Sequence, residues 1–398
     1  MTSGLMAREL SVLGALARPA RGEGAAELAA LARETVAADV ARRALMLDIG
    51  RLPPPRRHPA QLRLLREAFD PLRRSARIRV FELPNGDVVA VAPPPAPLLD
   101  EARNRLAALL DEGEARAAIT DLRLPDEAAA LLAAVERALG LQAAARREED
   151  ARPARPAPDG DGLAAAEQRI AAADIEGLVR REWVCRIVAE GGAPEPLWEE
   201  RRVRLDAVAE GLLPGRDLDS APWLRQRLRR ALDRRLLASV TRAEEMRGMR
   251  ALTLPLALES VTGPEFLRLD ALLPVALRGA LTIVIEGAEL LADHDAATLA
   301  RRWLKLRGHG LGIELASAEA ASLFPPARAG HRMLRLEWTE ALPGLGSEAA
   351  ERIRAALASG PEQVVLAGVD RPAAIAWGWE MGIALFQGRL VEQRRPAI

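Results

Sequence analysis

Few side chains in this sequence are of types and spacings that do chemistry. The one cysteine, Cys185, lies among Val184, Ile187 and Val188 and reads as a buried strand thiol rather than a nucleophile. His58, His294, His309 and His331 share no ligand spacing, so a histidine-based zinc site is not expected. What remains are carboxylates and a few polar groups at the ends of apolar runs: Glu200, Glu286, Glu337, Asp370, Arg335 and Gln387. Strand ends matter because barrel enzymes carry their chemistry on the C-terminal ends of their strands. Each residue also has a plain reading. Glu200 would pair with Arg204 or a neighbouring arginine, and Glu286 and Glu289 would be solvated at a strand end. Arg225, Arg227, Arg229 and Arg230 mix the faces of one helix and read as solvated surface.

The elements that must position these groups alternate along the second half of the chain. Leu163–Arg181 reads as helix, Val184–Val188 and Val203–Leu205 as strands, and Trp223–Val240 as a long helix. Strands follow at Ala251–Leu258, Leu281–Ile285, Leu311–Leu315, Met333–Leu336 and Gln363–Leu366. Helices are expected at Ala296–Arg307, Ser347–Ala358 and Pro372–Gly382. Alternating βα units of this length imply a parallel sheet, and eight of them close a barrel.

The first half is organised differently. All seven tryptophans lie between Trp183 and Trp379, and a segment rich in Pro, Gly and charge, Arg146–Gly162, marks the boundary as a linker. Before it, Gly22–Arg43 reads as an amphipathic helix, Ala44–Ile49 as a buried strand and Pro59–Arg74 as a helix. In Ile78–Val91 two alternating apolar runs flank Asn85-Gly86, a hairpin signal of the type I′ kind. Helix Pro97–Leu110, strand Ala118–Leu122 and helix Asp126–Leu139 complete a small α/β sheet. The expected division is therefore a helical segment over 1–43, a small domain over 44–145, a linker over 146–162 and a barrel over 163–398.

Composition narrows the function classes. A chain of 398 residues implies two or three domains. Its 56 basic and 56 acidic residues give no bulk field to steer it to nucleic acid or an acidic membrane. No apolar run approaches the roughly 18 to 20 residues of a membrane span, and no cleavable leader is evident. A lone cysteine excludes an intrachain disulfide, and a cytoplasmic setting is expected.

Read in order, the second half resembles an EAL-type cyclic di-GMP phosphodiesterase domain. The resemblance runs from about residue 182 to 396. Glu200-Arg201-Arg202-Val203-Arg204 matches the eponymous E-A-L-L-R run, Leu254–Ala257 the strand bearing a metal-binding Asn, and Ile285-Glu286-Gly287-Ala288-Glu289 the ExTE strand end. Leu334-Arg335-Leu336-Glu337 matches the KID-type strand, Val364–Asp370 the AEGVE-type strand, and Gln387-Gly388 the final QG. The first half is similar to the palm of a GGDEF diguanylate cyclase, with Asn85-Gly86-Asp87-Val88-Val89 at the signature turn and Asp48 at the other metal-binding position; Val88 replaces a carboxylate there.

The resemblance implies two divalent cations held by carboxylates and used to activate water. Glu200, Glu286 and Gln387 keep the residue types of the family. Pro255 stands at the Asn position, Ala367 at the first Glu of AEGVE, Asp370 at the second, and Arg335, which cannot lose a proton, at the catalytic Lys. The paired-Asp motif is missing after Leu311–Leu315, where Glu314 and Glu319 are the only acids. No catalytic residue, metal or cofactor is therefore expected. The expected role is a non-catalytic regulatory protein in bacterial signalling, acting as a scaffold for a protein partner or a second copy, or as a cyclic di-GMP receptor. Arg335, Arg371 and Arg389 would serve the phosphates of such a ligand, and Trp338 or Trp377 would stack on its bases. The alternative is residual Mg- or Mn-dependent phosphodiesterase activity using Glu200, Glu286, Glu314 and Glu337. A third reading gives the interaction to the N-terminal helices.

Overall fold

The computed structural model describes residues 23–140, 168, 170, 176–189, 192–203, 205, 222–324, 330–345, 347–358 and 360–396. The chain forms two compact units. One comprises Met1–Arg152, Ala189–Gly191 and Pro372–Glu380; the other comprises Pro153–Val188, Gly192–Arg371 and Met381–Ile398. No helix among the described residues is long and apolar enough to cross a membrane.

The first unit is built on strands β1 (Arg42–Leu47), β2 (Arg79–Glu82), β3 (Val88–Ala92) and β4 (Ile119–Leu124). They form an antiparallel sheet in the order β2-β3-β1-β4. Leu45, Leu47, Val88 and Ala90 pack with Phe69, Leu72, Leu99 and Leu106. The intervening Ala44, Met46, Val89 and Val91 are buried too, so both faces of the sheet are covered. The first helix ends at Ala37, short of the expected Arg43, because Asp39 takes a positive φ of 48° and turns the chain into β1.

The hairpin between β2 and β3 lies where Asn85-Gly86 places it, but its turn is not type I′. Only Gly86 of that pair has positive φ, at 92°. The Gly86 N–H donates to the Leu83 carbonyl and the Leu83 N–H to the Asp87 carbonyl, at 2.9 and 2.8 Å. The connection is a three-residue loop closed by a left-handed glycine. Pro84 explains the choice: its ring fixes φ near −65°, the first corner of an ordinary turn and incompatible with positive φ.

Helix Pro372–Glu380 packs within this unit against helix Ala128–Ala138. The Ala129 N–H donates to the Glu380 carboxylate at 2.6 Å and the Ala373 N–H to the Glu136 carboxylate at 3.1 Å. Each helix thus satisfies an orphan N–H in the other's first turn. The segment PAAIAWGWE is buried from Ala373 to Gly378, as its nearly all-apolar composition requires.

The second unit holds β5 (Val179–Arg186), β6 (Glu195–Val203), β7 (Leu252–Pro255), β8 (Leu281–Glu286), β9 (Gly310–Leu315), β10 (Met333–Glu337), β11 (Val364–Ala367) and β12 (Leu385–Phe386). They close a barrel in sequence order. The sheet is not all parallel as expected, since β5 runs antiparallel to both β6 and β12. Ile187–Pro194 is too short to return the chain by a crossover, which takes about a dozen residues, so a hairpin forms.

Other elements of this unit also differ from the sequence reading. Val179–Arg181 belongs to β5 rather than to a helix. The strand read at Val203–Leu205 ends at Val203 and begins at Glu195. Strand β12 was not expected. Within the expected helix over 163–181, Gln168 and Ile170 are helical, and much of the rest lies outside the described residues. The misreadings share a cause. Both β5 and β6 carry runs of consecutive charged residues, Arg180–Glu182 and Glu199–Arg202, which hide the apolar alternation that marks a strand.

Val184, Val284, Met333, Val365 and Leu385 fill the barrel interior with Leu197 and Trp198 against them. Closure at β12 depends on Gly388. Its φ is 145°, and a Cβ there would lie 2.4 Å from the Val369 nitrogen, a tight backbone approach that glycine alone permits.

Candidate functional site

Strand register gathers the candidate residues. Glu286 is the Cα partner of Glu314, Glu314 of Arg335, Glu337 of Ala367 and Pro255 of Val284. Partnered positions share a face and every second residue returns to it. These side chains therefore lie on the face that holds Val284 and Val365 in the core. Glu200 partners Thr253, two residues before Pro255, and Gln387 lies two residues beyond the interior Leu385. Glu200, Pro255, Glu286, Glu314, Arg335, Glu337, Ala367 and Gln387 thus line the C-terminal mouth of the barrel. Asp370 lies beyond the end of β11, with Arg371 at 3.5 Å and Arg389 at 3.8 Å.

At the centre of the mouth the charges form a closed, alternating ring. Arg202 donates from Nε to Glu200 at 3.0 Å, and from Nη1 and Nη2 to the two oxygens of Glu314 at 3.2 and 3.0 Å. Arg335 donates from Nη1 to Glu314 at 2.7 Å, and its Nε stands 3.5 Å from Glu200 Oε2. The same Nη1 also reaches Glu337 Oε2 at 2.9 Å. The Glu200 and Arg335 side chains are 2% and 7% exposed, so the ring lies in low dielectric, where a two-pronged guanidinium–carboxylate pair has its greatest effect. Burial would raise the Glu314 carboxyl, but Arg335 and Arg202 outweigh it and hold the group below its ordinary range. Burial likewise opposes the charge on Arg202, and Glu200 with Glu314 overcomes it and raises that group. Glu182, the cross-strand partner of Glu200, is raised by burial, with the Glu200 charge adding to it.

A second group sits beside the ring. Arg229, from helix Pro222–Val240, pairs with Glu286 and with Glu289, the latter at 2.9 Å. Glu289 also accepts the Leu258 N–H at 2.6 Å, and burial raises its carboxyl. Asp233, one turn along that helix, accepts from the Ala257 N–H and the Ser260 hydroxyl, both at 2.8 Å. Burial pushes its carboxyl up to about 6.

Several expected roles change here. Glu200 pairs with Arg202, a neighbouring arginine as expected, and also faces Arg335; Arg204 lies outside the described residues. Glu286 is not simply solvated; it is held by Arg229, which was read as surface. Arg335 is committed to three carboxylates and does not present itself to a phosphate. Trp377 is 2% exposed and packs in the first unit, so it offers no stacking face. Arg371 pairs with Glu340 and Asp370, whereas Arg389 is 74% exposed. Arg202, Arg229 and Asp233 were missed as site residues. The one sequence signal for them is Glu200 and Arg202 at strand spacing i, i+2. Cys185 is buried, and burial pushes its thiol up to about 11, in keeping with a structural thiol.

In the first unit the hairpin brings Asp87 to the turn after β1 that carries Asp48. Asp87 accepts from the Ile49 N–H at 2.8 Å and from Asn85 at 2.7 Å. Asp48 pairs with Arg137 at 2.5 Å and with Arg51 at 3.4 Å. Burial, then the Asp48 charge, raises Asp87.

The donor sets do not fit bound cations in either unit. A divalent ion needs several free oxygens converging on one point, and here guanidinium and N–H groups hold them. Among the described residues no three His, Cys, Asp or Glu side chains are disposed to hold one metal ion.

No family model matches the sequence, and no curated protein matches it significantly. Among solved structures, the chain is similar to the S helix–GGDEF–EAL region of Vibrio cholerae LapD bound to c-di-GMP, with 11% identity, 91% of this chain and 92% of that one covered, and a TM-score of 0.43. It is similar to the Xanthomonas citri FimX EAL domain in complex with c-diGMP, with 13% identity, 61% and 94% coverage and a TM-score of 0.41. It is also similar to Klebsiella pneumoniae BlrP1 in a manganese/cy-diGMP complex, with 14% identity, 88% and 95% coverage and a TM-score of 0.40. At these scores the likeness adds nothing to the residue-level picture.

Proposed function

We propose that the protein is a non-catalytic, EAL-like regulatory protein whose barrel serves as a scaffold for a protein partner. The observation that carries this reading is Arg335. Its guanidinium lies at the position the EAL resemblance gives to the catalytic lysine and bonds Glu314 and Glu337 at 2.7 and 2.9 Å. No water can be activated by carboxylates already spent on a guanidinium, and Arg335 itself cannot act as a base. Pro255 and Ala367, on the same face, offer no oxygen from their side chains.

The scaffold reading is better supported than the receptor reading. Arg335 and Arg371 are already paired with carboxylates, and only Arg389 among the proposed phosphate partners is well exposed, so a bis-phosphate ligand would find few free cations at this mouth. Cyclic di-GMP, named in the solved structures above, remains the natural probe. A calorimetric titration of the full chain with cyclic di-GMP, with and without Mg²⁺, is expected to show no hydrolysis and no heat of binding. Binding without Mg²⁺ would move the protein to the receptor class. Turnover that depends on Mg²⁺ or Mn²⁺ and disappears in Glu286→Ala would refute the non-catalytic reading.

A further inference from the structure

Helix His294–Arg307, which lies between β8 and β9 in the barrel unit, is apolar on two sides. One side is committed, since Ala297, Ala300 and Leu304 are buried in the unit. The larger apolar residues lie elsewhere. Leu299 is 58% and Leu306 79% exposed, and Trp303 between them is half-buried. With Ala296 they recur at spacings of three, four and three residues, the a/d pattern of a coiled-coil seam. A helix that only covers a barrel needs one apolar stripe. Here alanines face the core while leucines face solvent, the reverse of what burial alone favours. The seam is also held in shape. The Asp293 carboxylate accepts the Ala296 N–H at 2.9 Å, and Gly308 closes the other end at a φ of 81°. The Arg307 guanidinium lies 5.7 Å from the centre of the Trp303 ring and is tied to Asp270 at 2.6 Å. Trp303 is thus a fixed aromatic anchor between two leucines, and a preordered anchor loses little freedom when covered.

Charge selects what covers this seam. Arg302 and Arg307 take the g and e positions beside it, and Arg301 and Lys305 add to the same turns, where there is no acid. Arg301, Arg302 and Lys305 are exposed and form no ion pair among the described residues. The one acid of the helix, Asp295, lies in the first turn, where the helix dipole favours it. A second copy fits poorly. Pairing this helix with itself about a two-fold axis is antiparallel, and the register that layers all four seam residues sets Arg302 against the same residue of the copy. A lipid surface fits poorly too, because an interfacial helix needs a broad apolar face and the side opposite the seam is committed to the barrel. Resting on the scaffold reading above, we propose that helix His294–Arg307 is the docking surface for the protein partner, and that the partner presents an amphipathic helix with apolar a/d residues flanked by carboxylates.

The test is a titration of the full chain against a fluorescently labelled peptide of about three heptads, with Ile and Leu at a and d and Glu at e and g, read by anisotropy. The same peptide with Lys at e and g is the comparison. The Glu peptide is expected to bind at least on the order of tenfold more tightly than the Lys peptide, and salt is expected to narrow the gap. Leu306→Gln is expected to weaken binding on the order of tenfold. Arg302→Glu is expected to bring the two peptides to about equal affinity. Both side chains are exposed, so cooperative melting is expected to be retained in each variant. Val275→Gln, at a 78% exposed residue of another helix, is expected to change nothing. Failure of the Glu peptide to bind, equal binding of both peptides to the wild-type chain, or an equal loss in Val275→Gln overturns the proposal. Leu306-dependent binding to phosphatidylserine vesicles, or Leu306-dependent self-association in sedimentation, would give the face to a membrane or a second copy and overturn it as well. Absence of peptide binding without turnover of cyclic di-GMP sinks this inference alone, whereas metal-dependent turnover sinks the non-catalytic reading.

Discussion

Asp233 shows how one residue can work against the fold while serving its geometry. Its carboxyl is buried, accepts two hydrogen bonds at the exit of β7, and is pushed up to about 6. A carboxyl raised in the folded state contributes stability that is fully present below its unfolded value, near 3.9, and is lost as pH rises through 6. Asp233→Asn keeps an oxygen for the Ala257 N–H and the Ser260 hydroxyl and removes the titration. The stability of this variant relative to wild type is therefore expected to rise between pH 4 and pH 8 by on the order of 2 kcal/mol. Urea melts at the two pH values check this, and a pH-independent difference would show that burial of Asp233 is relieved some other way.

Single elements carry the closure of the barrel. Strand β12 is only two residues long, and β5 meets it antiparallel through Leu385 with Arg186 and Phe386 with Cys185. The pairing holds because Gly388 lets the chain pass against Val369, whose N–H donates to the Gln387 carbonyl at 2.9 Å. Gly388→Ala would press a methyl group into backbone and require a positive φ of an L side chain. A loss of about 3 kcal/mol or more is expected, visible in chemical denaturation followed by tryptophan fluorescence. An unchanged midpoint would mean that the closing turn can relax. The hairpin around Gly86 makes the complementary point: the dipeptide located the turn, and Pro84 selected its type.

On the scale of the molecule, the first unit is completed from far along the chain. Helix Pro372–Glu380 belongs to it and exchanges end caps with helix Ala128–Ala138. A polypeptide ending at Arg152 lacks that helix and exposes the Ala129 N–H together with the apolar side of Ala128–Ala138. It is expected to bind a hydrophobic dye and to unfold at lower denaturant than the same unit in the full chain, as followed by far-ultraviolet circular dichroism. Supplying residues 372–380 at the end of the shortened chain through a flexible linker is expected to recover most of the loss. If the shortened chain is as stable as the unit in the full chain, the reciprocal caps are incidental.

The sequence by itself determined the order of the barrel strands from β7 to β11 and the hairpin at Asn85-Gly86. The EAL resemblance, rather than periodicity, picked out Glu200, Pro255, Glu286, Arg335, Glu337, Ala367 and Gln387. Local rules place only those on strands that were read as strands, because alternation fixes the face of a strand and a strand end fixes depth in a barrel. Tertiary structure alone decided who pairs with whom. That Glu200 meets Arg335, far along the chain, as well as its neighbour Arg202, depends on which strands stand opposite across the lumen. The helix Pro372–Glu380 reads as the next barrel helix, yet packs elsewhere, because an element apolar on all sides takes whichever apolar surface encloses it. The carboxylates Glu200, Glu286 and Glu337 that opened the reading are partnered by arginines of the same chain.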